Sequence, residues 1–81
     1  KKFLKKIENL LGNMNYEVIY GQGNFQSGYC IVDSQNKIVV NKFYDTDARI
    51  TALISVLKEL PWEEHVDSSE LRTFIIQKSS V

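Results

Sequence analysis

Hydrophobic and polar positions along this chain follow two different periods, and the switches between them mark out its elements. Over residues 1–14, Phe3, Leu4, Ile7, Leu10, Leu11 and Met14 recur on one helical face, with Lys2, Lys5, Lys6, Glu8 and Asn9 between them. That spacing predicts an amphipathic helix. Gly12 and Asn13 both tolerate left-handed backbone, so the helix is expected to end near Leu11. Residues 16–20 (Tyr-Glu-Val-Ile-Tyr) are β-branched and aromatic and read as a strand. A loop over 21–28 follows. Two further apolar runs, Tyr29 to Val32 and Lys37 to Asn41, flank the turn formers Asp33-Ser34-Gln35-Asn36 and predict a β-hairpin. Both faces of these strands carry apolar residues, so cover on both sides is expected.

A second helix, capped by Asp45 or Thr46, is expected to run to about Leu60, where Pro61 stops it. Its apolar positions (Ile50, Ala52, Leu53, Ile54, Val56, Leu57 and Leu60) cover most of the circumference, which makes it the central, most buried helix. Asp67-Ser68-Ser69-Glu70 has capping-box spacing, with Val66 and Leu71 placed as a hydrophobic staple. A third helix from Ser68 to about Lys78 follows, turning Leu71, Phe74 and Ile75 inward and Ile76 outward. The expectation is one α+β domain over residues 1–81, order α-β-β-β-α-α, with a small three-stranded antiparallel or mixed sheet packed by helices. Leu10, Val18, Ile31, Val39, Leu53, Leu57 and Phe74 are its expected core. The hairpin pairs Tyr29–Val32 with Lys37–Asn41, and the first strand joins either edge.

Composition narrows the function classes. Ten Lys plus Arg balance ten Asp plus Glu in 81 residues, so no overall basic charge points to nucleic acid. No apolar run approaches the roughly 20 residues of a membrane span, and the Lys-rich start is not followed by a signal-peptide core; a cytoplasmic protein without membrane association is expected. The single Cys30 excludes an intramolecular disulfide and any Cys-based zinc knuckle.

Candidate chemistry is sparse. Gly21-x-Gly23-x-Phe25 has the spacing of a phosphate-cradling loop, but Gln26 replaces a third glycine and the loop opens a strand rather than a helix, so a turn-forming connection is expected. Cys30 and His65 are the one thiol and the one imidazole, and Cys30 sits in an apolar strand as a small hydrophobe would. Glu63, Glu64, His65 and Asp67 offer metal ligands in adjacent positions, a spacing that rarely converges on one ion. No catalytic residue, cofactor or metal is expected, and the chain is read as not an enzyme.

Interaction surfaces are more promising. Lys1, Lys2, Lys5 and Lys6 form a basic patch, the basis of a nucleic-acid reading that the zero net charge opposes. Residues 1–42 carry six lysines against three acids and residues 43–81 four bases against seven acids, an opposition suited to self-association or to attraction between the two halves. Phe43, Tyr44, Trp62 and Ile76 are the candidate contact residues, flanking the central helix and the outer side of the third. The expected function is a non-catalytic interaction module acting on a protein partner or on itself.

The run from Gly28 through the hairpin to Asn41, followed by Arg49-Ile50-Thr51 at the opening of a buried helix, resembles the zincin-like metallopeptidases of the ImmA/IrrE group. The resemblance covers roughly residues 2–60 and implies a leading helix, a small sheet and a helix bearing H-E-x-x-H. The motif's positions hold Ile54, Ser55 and Lys58, so the resemblance implies a degenerate fold without the zinc chemistry. Gly28-Tyr29-Cys30 and Asn41-Lys42 also resemble a small uncharacterised family of bacterial proteins.

Overall fold

The computed structural model describes residues 2–22 and 29–79. Its order is α1 (Lys2–Asn13), β1 (Glu17–Gly21), β2 (Tyr29–Val32), β3 (Lys37–Asn41), α2 (Thr46–Leu57) and α3 (Ser69–Ser79), an α+β domain of the expected order.

The first helix buries Ile7, Leu10 and Leu11. It ends later than the glycine suggests. Asn15, not Gly12 or Asn13, takes the left-handed conformation at φ 68°, and the Tyr16 N–H donates to the Leu11 carbonyl while the Asn15 N–H donates to that of Gly12. These two bonds form a Schellman closure, which satisfies carbonyls the helix leaves unpaired and turns the chain directly into β1.

The sheet is mixed, in the order β1-β3-β2. The hairpin closes through a single 3-10 turn over Asp33–Gln35 and a left-handed Asn36 at φ 52°. Strand β1 then joins the free edge of β3 in parallel, with Val18 opposite Ile38 and Tyr20 opposite Val40. Ile38 and Val40 are fully buried. They place β3 at the centre, with Val18 and Tyr20 packed against the same core.

Cover on both sides of the strands does not occur among the described residues. Opposite the Ile38 face, Ile19, Val39 and Cys30 stand in one row across the three strands, and none is buried. Val39 and Val18 are half-buried rather than central, and Ile31, expected in the core, is 38% exposed. The physical reason is size: α1 packs on β1 and α2 on β3, which leaves the edge strand β2 beyond the helices.

Helix α2 is the core of the molecule, burying Ile50, Ala52, Leu53, Ile54, Val56 and Leu57. Asp45 is its cap, its carboxylate accepting the Ala48 N–H at 2.9 Å. Regular helix stops at Leu57 and tightens into i to i+3 turns, Glu59 N–H to Val56 and Leu60 N–H to Leu57, before Pro61. In α3 the cap is Ser68, whose hydroxyl accepts the Leu71 N–H at 3.3 Å, rather than Asp67 as the capping-box spacing suggests. Leu71 and Ile75 face inward and Phe74 is half-buried.

Candidate interaction surface

Between β3 and α2 the chain turns through Lys42, Phe43 and Tyr44, and nearly every backbone group of this turn is engaged. The Lys42 N–H donates to the Gly21 carbonyl at 2.9 Å and the Tyr44 N–H to that of Asn41 at 3.1 Å. Asn41 Oδ1 accepts the Phe43 N–H at 2.9 Å. From the first turn of α2, Arg49 reaches back with Nε to the Tyr44 carbonyl and Nη2 to the Lys42 carbonyl, both at 2.9 Å. Its guanidinium lies 4.2 Å from the centre of the Tyr20 ring, and the Tyr20 hydroxyl donates to the Glu8 carboxylate on α1. Burial, then the hydrogen bond to Glu8 and its charge, push the Tyr20 phenol well above its ordinary range, against the opposing pull of Arg49. A planar, five-donor side chain is what this double carbonyl grip plus ring stacking requires.

On this fixed turn Phe43 is 72% exposed, with the Lys42 ammonium 5.3 Å from its ring centre. Tyr44 turns the other way and packs half-buried on the core. Ile76, 48% exposed, stands alone on the outer side of α3. Trp62 does not extend an exposed patch: at 9% exposure it belongs to the core, with the Arg72 guanidinium 6.0 Å from its ring. It lies past the C-terminal end of α2, whereas Phe43 precedes the N-terminal end, so a helix of about 18 Å separates them. Nothing in the sequence pattern distinguishes the exposed Phe43 from the buried Trp62, because both are aromatics in connections beside an end of α2.

Two of the four lysines share one carboxylate partner within the fold. Glu70 of α3 sits 3.7 Å from Lys2 and 3.1 Å from Lys6. Those two cations hold its carboxyl below the usual glutamate value, Lys6 foremost through its hydrogen bond. Lys5 is exposed, and Lys1 lies outside the described residues. The opposed charges of the two halves thus meet within one chain, between α1 and α3.

A groove of about 700 Å³ runs between α1 and the segment leading into α3, with Leu10, Val66 and Leu71 along its apolar part and Glu8 and Asp67 among its polar walls. His65 stands on this groove, whereas Cys30 is exposed on the opposite side of the sheet, so the structure does not join thiol and imidazole. Among the described residues no three His, Cys, Asp or Glu side chains converge as metal ligands, Glu63, Glu64, His65 and Asp67 included. The positions of the absent H-E-x-x-H hold a buried Ile54, a Ser55 whose hydroxyl donates to the Thr51 carbonyl, and an exposed Lys58. The loop from Gly23 to Gly28 lies outside the described residues. No described helix is long and apolar enough to cross a membrane. Comparison with protein-family models, curated proteins and solved structures finds no match to this chain.

Proposed function

We propose that this domain is a non-catalytic, cytoplasmic protein-interaction module whose contact point is the Phe43 turn. The observation that carries this reading is a 72% exposed phenylalanine on a turn held by Arg49, Asn41 and the Gly21 carbonyl. A large apolar side chain in water contributes nothing to the stability of the folded chain, and a rigid mount removes the ordering cost that a flexible loop incurs on binding. Exposed aromatics on preorganised segments are the side chains that anchor interfaces. The basic-patch reading has less support, since Glu70 already neutralises part of the lysine cluster.

The test compares wild type with Phe43→Ser, both in sedimentation of the purified chain and in capture from a lysate of the source cells. The expected result is association or capture that Phe43→Ser removes. A wild-type chain that remains monomeric and retains no partner, or binding indifferent to Phe43→Ser, overturns the reading.

A further inference from the structure

We propose that Phe43 and Lys42 of one chain dock into the groove between α1 and the α3 approach of a second copy, so that chains associate head to tail. The inference rests on the interaction reading above and names its partner. The groove offers what the turn presents. Val66, half-buried, supplies apolar surface for the ring over the buried Leu10 and Leu71, and Glu8 and Asp67 supply carboxylates for the ammonium that rides 5.3 Å from that ring. Glu8 is held in place by Tyr20, and Lys6, on the groove wall, pairs with Glu70. The groove is open to solvent along one side, and its volume of about 700 Å³ leaves room for a phenyl ring together with a lysine stem.

Gly12 adds an independent observation. It lies within α1, where glycine is unfavourable relative to alanine. It has no left-handed backbone to maintain, and a Cβ built on it meets nothing within 4 Å. Neither conformation nor packing inside the chain calls for glycine there. It lies on the groove wall, exposed, where a longer side chain would have room to enter the groove.

In its own chain Phe43 is 72% exposed and does not line the groove. Docking therefore joins different copies through unlike surfaces. Such a heterologous contact either closes into a ring or grows with concentration.

Two variants separate the halves of the contact. Phe43→Ala removes the inserted ring, and Gly12→Lys fills the groove and repels Lys42 while improving helix propensity. Sedimentation velocity over a concentration series is expected to show the wild type associating and each variant alone weakened at least about tenfold. A mixture of the two should give one-to-one dimers and nothing larger, since the first keeps a groove and the second a ring. Lys42→Glu should weaken association and recover it when mixed with Asp67→Lys. Circular dichroism checks that each variant is folded. A wild type monomeric at all concentrations, or mixtures that show no complementation, overturns the proposal. Phe43-dependent capture of a different protein by a monomeric chain also overturns it, while leaving the interaction reading standing.

Discussion

Phe3 of α1 stacks face to face on Phe74 of α3, with ring centroids 4.2 Å apart and planes 4° from parallel. The pair closes the two outer helices over α2. Lysine ammoniums surround it, Lys2 and Lys6 at 6.0 and 5.8 Å from the Phe3 ring and Lys78 at 5.8 Å from Phe74. Truncating either ring to alanine should cost about 2–3 kcal/mol, below the fully buried range because both rings are half-exposed. The double variant should cost less than the sum of the two by about 0.5–1.5 kcal/mol, the worth of the ring–ring contact itself. Urea denaturation of the four-member cycle measures this, and strictly additive losses would show that the rings pack independently.

Arg49 makes a contrasting case, because charge alone does not explain it. Arg49→Lys keeps the positive charge but has no second donor in the geometry needed to reach both the Lys42 and Tyr44 carbonyls, and no flat face for Tyr20. The expected loss is about 1–2 kcal/mol. Amide exchange at Phe43 and Tyr44 should accelerate more than exchange in the hairpin. A uniform acceleration across the molecule would mean that Arg49 supports global stability rather than the turn.

Tyr20 should make the protein sensitive to alkali. Its folded pKa lies above the unfolded value of 10.0, chiefly because of burial and secondarily because of Glu8. Folding therefore favours the protonated phenol: the stabilisation is fully present below pH 10 and is lost as pH rises from there through the higher folded pKa. Tyr20→Phe should be less stable than wild type near neutrality by about 1 kcal/mol, and its stability should fall less steeply above pH 10. Parallel alkaline limbs for the two proteins in urea titrations would refute this.

The acid limb should involve Glu70. Its folded pKa is lowered by Lys6 and Lys2, so its contribution is present above the ordinary glutamate value of 4.5 and fades as pH falls through the lower folded value. Glu70 is exposed, so the effect is small and should shrink with added salt. Wild type and Glu70→Gln should therefore converge in urea midpoint as pH falls below 4.5, and converge again at neutral pH in 1 M salt. A difference that persists at low pH and in high salt would point to packing rather than charge.

The sequence by itself determined the elements and their order, since each element carries its own periodicity and its own stop. Apolar positions from Ile50 to Leu60 on most of the circumference made α2 central and four turn formers closed the hairpin, whereas regular helix stops at Leu57, ahead of the Pro61 expected to end it. Local chemistry left competing choices within three residues of each helix end. Asn15 rather than Gly12 closes α1, against the local preference for glycine, and Ser68 rather than Asp67, a near-equal cap, begins α3, because packing sets where each helix ends. Decisions between distant segments belonged to tertiary structure alone. The parallel seat of β1 beside β3, the exposure of Cys30 beside a half-buried Val39, the burial of Trp62 against the exposure of Phe43, the Phe3–Phe74 stack and the Glu70 pairing with Lys2 and Lys6 all depend on which surfaces meet. Periodicity states that a face is apolar, but three helices on a three-stranded sheet can cover only part of the apolar surface offered, and only the packed arrangement decides which part stays bare.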